Sequence, residues 1–127
     1  MKAAAIILTV ILIFIIGLDV CSYYYLKNMA NAISQSIEDL PDRIDGGDWD
    51  AASDGLAKTS RQWSSVKGIW AVLINHQEID NIEMSLTRLK SFVKYKDINE
   101  SMAEYNTFKA LVEHIPESEK FSLVNIF

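Results

Sequence analysis

The sequence predicts an all-α protein in which an N-terminal transmembrane helix continues into an antiparallel bundle of three to four helices. Three observations predict this class. The segment Ala3–Leu18 contains no charged residue. The apolar residues that follow recur at alternating spacings of three and four, which is the rhythm of one helix face. No segment alternates with a period of two, as a half-buried strand does.

The first element is a candidate membrane anchor. A spanning helix needs about 20 mainly apolar residues, and residues 3–26 supply them if Asp19 lies near the lipid headgroups. Lys2 precedes the apolar run and Asp19 follows it, which favours a cytoplasmic N-terminus. We therefore expect residues 1–26 to form a transmembrane signal anchor in contact with the bilayer, and residues 27–127 to form an extracytoplasmic bundle. The residues expected at the membrane interface are Asp19, Tyr23, Tyr24 and Tyr25.

Two alternatives to a retained anchor stay open. Cleavage after Ser22 would release a secreted domain that begins at Tyr23, because Val20-Cys21-Ser22 loosely matches the small-x-small pattern that precedes a signal-peptidase cut. Lipid attachment at Cys21 is the other alternative, but Val20 and Asp19 are unlike the residues that usually precede a lipidated cysteine. The retained anchor is favoured because an unbroken helical pattern runs on from Leu18 to Leu40.

The helices of the bundle follow from spacing and from helix breakers. The first is expected to continue to Leu40 and to end at Pro41, since a helix interior tolerates proline badly. The acidic, glycine-containing segment 41–50 then reads as a turn, with Asp48 as the N-cap of a helix that begins at Trp49. In that helix, Gly68 predicts a close crossing or a kink.

Two further helices complete the predicted bundle. One follows the polar segment 75–78, and the other begins after Lys94–Asp97 and stops at Pro116. The last residues, 118–127, are rich in apolar side chains, which predicts that they fold back onto the bundle or meet a partner. The residues expected to line the core are Leu26, Ile33, Ile37, Leu40, Trp49, Trp63, Trp70, Leu86, Leu89, Tyr105 and Phe108.

Charge and composition exclude some classes of function. The chain has 12 Lys and Arg against 17 Asp and Glu, whereas nucleic-acid binding needs a basic surface. A single cysteine cannot form an internal disulfide. Neither a glycine-rich phosphate loop nor a nucleophile elbow occurs in the sequence. We therefore expect no nucleic-acid partner, no catalytic residue and no cofactor, and we expect the protein not to be an enzyme.

One cluster resembles a metal site in composition. His76, Glu78 and His114 are weak candidate ligands, because an up-and-down topology brings them to the same end of the bundle. The spacings that place two ligands on one helix face are absent, however. A simpler interpretation is that both histidines complement helix C-termini. Whether they are functional or structural is not decided by the sequence.

The segment "GDWDAASDGL" resembles the opening of tetratricopeptide-type helical hairpins, which favours protein binding. Over nearly the full length, the chain also resembles a family of small membrane-anchored proteins of Gram-positive bacteria, catalogued as a domain of unknown function. The most specific stretches are "HQEIDNIEMSLTRL", beginning at His76, and "EHIPESE", beginning at Glu113. The resemblance implies a hydrophobic start and a separate multi-pass membrane protein as companion. It brings no activity.

The function predicted from these features is that of an accessory or protein-interaction subunit at the outer face of the cell membrane. Two alternatives belong to other classes: an extracytoplasmic metal- or small-ligand-binding domain, and a self-assembling envelope or filament subunit. The expected partners are the lipid bilayer and another membrane protein, and a homo-oligomer is compatible with the sequence. Biological role, partner identity and oligomeric state are not determined by it.

Overall fold

The computed structural model describes the backbone of residues 1–126 and the side chains of residues 1–119. Within those residues it contains five α-helices and no β-strand: α1 (Lys2–Ser36), α2 (Leu40–Asp45), α3 (Trp49–Leu73), α4 (His76–Lys94) and α5 (Ile98–Ile126). The four long helices form an antiparallel bundle in which α1 and α4 each pack against α3 and α5. The short α2 packs on α3 and α5. The predicted all-α class and the bundle are confirmed.

The core is built from the apolar stripes of the four long helices. On α3 the buried residues are spaced by three and four, and they are Ala52, Leu56, Thr59, Trp63, Val66 and Trp70. Two of them, Trp63 and Trp70, meet edge to face with ring centroids 5.4 Å apart. Of the residues expected to line the core, all are buried except Trp49, which is half-buried and packs against the core.

The end of α1 differs from the prediction. The helix ends at Ser36 instead of reaching Leu40. Pro41 has no N–H to donate to the carbonyl of Ile37, and that carbonyl accepts from the Leu40 N–H instead, at 3.1 Å. The chain turns tightly there and restarts as α2 with Pro41 in its first turn, a position where proline is favoured. The first half of the predicted turn 41–50 is therefore helical.

The prediction that the last helix stops at Pro116 is wrong. Helix α5 continues through Pro116 to Ile126. A proline inside a helix removes one backbone hydrogen bond and crowds the preceding turn. Here Ile115 and Pro116 are both buried against the bundle, and their burial offsets that local cost. The apolar side chains predicted to fold back at residues 121–127 lie outside the described residues.

Local capping sets the other helix starts as the sequence indicates. The Asp48 carboxylate accepts from the Ala51 N–H at 3.2 Å, which caps α3. The Asn75 side chain accepts from the Gln77 N–H at 2.8 Å and caps α4. Because α4 begins at His76, the connection between α3 and α4 is only two residues long. Such a short connection forces the two helices to be antiparallel neighbours.

Polar contacts between helices define their register along the bundle axis. The Ser36 and Thr59 hydroxyls lie 2.8 Å apart and join α1 to α3. The Ser85 hydroxyl donates to Glu104 at 2.7 Å, and Arg88 donates to the same carboxylate at 3.0 Å, which joins α4 to α5. From these pairs, counting residues along each helix gives the position of each helix end relative to its neighbours.

Replacing Gly68 with alanine is expected to raise the free energy of unfolding by about 0.5–1 kcal/mol. The predicted close crossing at Gly68 is wrong, because a Cβ placed there meets nothing within 4 Å. The glycine therefore contributes only its entropic cost to the interior of α3. Gly55→Ala is the matched control, since a Cβ at that position would lie 3.2 Å from the Arg43 guanidinium. Chemical denaturation in detergent micelles measures the free energy of unfolding of both variants. A smaller increase for Gly68→Ala than for Gly55→Ala would contradict the expectation.

Candidate functional site

The N-terminal half of α1 extends away from the bundle. From Ala3 to Ile15 every side chain is exposed, and the first buried residue of the helix is Leu26. Large apolar side chains dominate this exposed part, with Ile6 64%, Leu12 56% and Phe14 64% exposed. By length and composition, it is the one helix among the described residues that could cross a membrane or act as a signal anchor.

The end of the bundle nearest this apolar segment, called the basal end here, contains Asp19–Tyr25 of α1, the last turns of α3, the α3–α4 connection and Glu119 of α5. The Ser36–Thr59 hydrogen bond shows which residues of α1 and α3 lie side by side at this end. Val72 lies 13 residues beyond Thr59 on α3, and Tyr23 lies 13 residues before Ser36 on antiparallel α1. At about 1.5 Å per residue, both are about 20 Å from the paired hydroxyls. Helix α3 therefore ends level with the tyrosines.

The three tyrosines do not share one environment. Tyr24 is 56% exposed, whereas Tyr25 is half-buried and packs against the bundle core. Tyr23 is half-buried and meets the ring of Tyr24 edge to face at 5.4 Å. Asp19 is also half-buried. Among the residues predicted at the interface, Tyr25 thus contributes to bundle packing, because the helix turns it inwards one residue before Leu26.

The basal end also brings together carboxylates from three helices. Partial burial raises the pKa of the Glu119 carboxyl above its ordinary value, and the nearby carboxylates of Glu78 and Asp19 raise it further. Glu78 lies in the first turn of α4, and Asp19 lies just beyond the apolar segment of α1. Carboxyl groups from α1, α4 and α5 therefore lie at this end of the bundle, with Glu119 near both of the others.

Glu119→Gln is expected to raise the melting temperature at pH 7 and to leave it unchanged near pH 4. Because the folded-state pKa of Glu119 is raised, the folded chain holds this proton more tightly than the unfolded chain. The resulting stabilisation is present below the ordinary glutamate pKa of about 4.3 and is lost as the pH rises through the folded-state pKa. Glutamine removes the penalty that ionisation imposes at neutral pH. Thermal unfolding in detergent at both pH values measures the melting temperature, and Glu117→Gln, at an exposed position, is the control. Equal changes in melting temperature for the two variants would contradict the raised pKa of Glu119.

The structure places the candidate metal ligands on neighbouring helices. His76 is the exposed first residue of α4, and His114 is exposed within α5. Neither lies at a helix C-terminus, so the prediction that both complement helix C-termini is wrong. His76 lies nine residues before Ser85, and His114 lies ten residues after Glu104, the hydrogen-bond partner of Ser85 on antiparallel α5. The two histidines therefore lie at nearly the same position along the bundle axis. Among the side chains of residues 1–119, no group of three or more His, Cys, Asp or Glu is placed to hold a metal ion.

A surface groove of about 530 Å³ lies between α3 and α4. Its lining includes Ser60, Trp63, Glu83, Met84 and Lys90, and contains no histidine, cysteine or aspartate among the described residues. The Ser60 hydroxyl and the Trp63 indole N–H face no hydrogen-bond partner within the described part of the chain, and both atoms are closed to solvent. Glu83 is already paired with Lys67 at 2.6 Å. The groove thus presents a mixed polar and apolar surface.

Three residues at the basal end were not singled out by the sequence reasoning. Ile69 and Val72 are exposed on α3, at 52% and 84%, and Glu119 gains its neighbours only through folding. The first two had a detectable signal, because they are large apolar residues that lie off the stripe formed by Val66 and Trp70. Glu119 had no signal, since Asp19 and Glu78 are distant from it in sequence.

These features define a class: an all-α bundle whose first helix extends beyond the bundle as a long, exposed apolar segment. A family model described as "Domain of unknown function (DUF4363)" matches residues 20–126, and the chain belongs to that family. The resemblance to a family of unknown function is thereby confirmed. The match begins one residue after Asp19, so it covers the bundle and leaves out the apolar segment. No curated protein and no solved structure matches the chain.

Proposed function

We propose that this protein is a single-pass, membrane-anchored helical bundle that acts as an accessory or protein-interaction subunit at the outer face of the cell membrane, without catalysis. The observation that carries the proposal is the exposed apolar segment of α1. Monomeric soluble proteins rarely expose a large continuous apolar surface. Here the exposed residues extend without interruption around the helix from Ala3 to Ile15, as expected for a helix surrounded by lipid.

The dimensions of the segment agree with a bilayer. Residues 3–18 span about 24 Å at 1.5 Å per residue, and extension through Ser22 gives about 30 Å, the thickness of the hydrocarbon core. Asp19 then lies near one boundary, where a carboxylate costs far less than at the centre. Lys2 at the opposite end supports a cytoplasmic N-terminus, with residues 27–127 outside the cell.

An interaction role is supported by the arrangement of the bundle. Helices α3 and α4 form a tight antiparallel hairpin with a groove between them, and we propose that this groove contacts the partner. The groove lining combines hydroxyl groups with the charged side chains of Glu83, Arg88 and Lys90, a mixture suited to contact with the polar surface of a partner. The likeness of the sequence to anchored proteins with a multi-pass companion favours a membrane protein as partner.

Purification of the full chain with a C-terminal tag, in mild detergent, tests the proposed interaction. We expect a second membrane protein to elute with it in a defined ratio. A variant with Lys90→Glu and Met84→Asp in the groove should lose the second protein and keep its fold, because both side chains are exposed and their replacement leaves the core intact. Recovery of a lone monomer would contradict the proposal. Recovery of copies of the chain alone would favour the self-assembling alternative.

The mass of the mature N-terminus in native cells tests the anchor separately. We expect a chain that retains Met1 or Lys2. A chain that begins at Tyr23 would be a released domain, and a lipid-modified Cys21 would be a lipoprotein. Either result would overturn the retained anchor while leaving the fold of the bundle unchanged.

A further inference from the structure

Helix α3 carries two large apolar side chains on the face opposite its buried stripe. Ile69 is 52% exposed and Val72 is 84% exposed, while Trp70 between them is fully buried. Single exposed apolar residues need no explanation. These two, however, lie on one exposed face, three residues apart, in the last turns of a helix that ends at the basal end of the bundle.

The register places this face against a specific height on α1. Val72 is level with Tyr23, and by the same count from Ser36 and Thr59, Ile69 is level with Leu26. Tyr23 lies five residues beyond Leu18, which is about 7 Å along the helix. The polar layer on each side of a bilayer is about 5–8 Å thick. For a hydrocarbon boundary between Leu18 and Ser22, Val72 lies about 1.5–7.5 Å beyond it, within the headgroup layer, and Ile69 lies about 6–12 Å beyond it, at the outer edge of that layer.

The residues after Val72 have the chemistry of that layer. The α3–α4 connection continues with exposed Asn75, His76 and Gln77, whose side chains hydrogen-bond readily with phosphate and glycerol oxygens. The pKa of Glu119 is raised by burial and by the nearby charges of Glu78 and Asp19, so this end of the bundle also contains three carboxyl groups.

We propose that the C-terminal end of α3 is a second point of contact with the bilayer, where Val72, with Ile69 farther from the bilayer centre, enters the phospholipid headgroup layer. The inference rests on the proposed anchoring by α1 and deepens it. Two contacts on different helices restrict the tilt of the bundle, so that the bundle stands at a defined angle on the membrane and presents its α3–α4 groove sideways to a partner.

Fluorescence quenching in liposomes tests this proposal. The full chain, in a Cys21→Ser background, receives a single cysteine labelled with an environment-sensitive fluorophore, at Ile11, Val72 or Tyr95. Tyr95 is a matched control because it is 74% exposed and lies at the opposite end of α4. Liposomes of phosphatidylcholine and phosphatidylglycerol contain nitroxide quenchers either on the headgroup or in the acyl chain, and no other protein.

We expect the label at position 72 to lose fluorescence with the headgroup quencher, the label at 11 to lose it with the acyl-chain quencher, and the label at 95 to lose it with neither. If position 11 is quenched while 72 behaves like 95, the second contact is wrong and the anchor stands; the apolar face would then be a surface for a protein partner. If position 11 is not quenched, the proposed anchor itself is wrong. An Ile69→Cys chain repeats the measurement one turn higher, where weaker headgroup quenching than at 72 is expected.

Discussion

Replacing Trp70 with alanine is expected to lower the free energy of unfolding by about 3 kcal/mol. Removal of a buried Trp or Phe side chain costs roughly 3–5 kcal/mol through lost burial and the cavity that remains. The edge-to-face contact with Trp63, at a centroid distance of 5.4 Å, adds to this loss. The Trp70 indole N–H, however, has no hydrogen-bond partner within the described residues. Its removal recovers part of the cost of burying a polar group, which places the net effect at the low end of the range.

Two variants separate these contributions. Trp70→Phe keeps an aromatic ring and removes the unpaired N–H, so it should cost clearly less than Trp70→Ala. Met84→Ala removes a large apolar side chain that is 53% exposed, and it should change stability by less than about 0.5 kcal/mol. Chemical denaturation in detergent, followed by circular dichroism, measures all three. Equal losses for Trp70→Ala and Met84→Ala would contradict the placement of Trp70 at the centre of the core.

A chain with Ile11→Arg and Phe14→Arg is expected to lose its hold on the membrane. On insertion scales, an arginine near the centre of a spanning helix costs about 2.5–3.5 kcal/mol, so two cost about 5–7 kcal/mol. Both positions are exposed and make no contribution to the bundle core, so the fold should persist. Carbonate extraction of isolated membranes should therefore move this variant from the pellet to the supernatant.

The matched control is Asn28→Arg with Asn31→Arg. These positions have the same spacing on the same helix and are also exposed, but they lie beyond Leu26 on the part of α1 that joins the bundle. The control should remain with the membrane pellet. Extraction of both variants to the same degree would indicate that the apolar segment of α1 does not hold the chain in the bilayer.

The placement of the helices along the chain could be read from local patterns. The alternating spacing of three and four determines which face of each helix is apolar, and burial of that face drives the assembly of the bundle. Capping is equally local. Asp48 precedes Trp49 by one residue, and its carboxylate reaches the free N–H groups of the first turn whatever the rest of the protein does.

The two prolines show where local reasoning failed. Both Pro41 and Pro116 were expected to end helices, because each removes a backbone hydrogen bond. At Pro41 the chain breaks earlier, at Ser36, and continues as a short helix that keeps Ile44 in the core. At Pro116 it does not break at all, because burial of Ile115 and Pro116 in the bundle favours a continuous helix. Each proline removes one backbone hydrogen bond. Whether the helix ends there depends on how the surrounding residues pack in the bundle.

The basal end depends on packing in the same way. The sequence by itself determined the apolar segment of α1, the helical class and most of the core, since these follow from spacing within single helices. Only the tertiary structure decided that α3 ends level with Tyr23, that Asp19 and Glu78 lie near enough to Glu119 to raise its pKa, and that Ile69 and Val72 remain exposed. Those facts depend on how far each helix slides along its neighbours. Side chains such as Ser36 and Thr59 determine that register only once the helices have met.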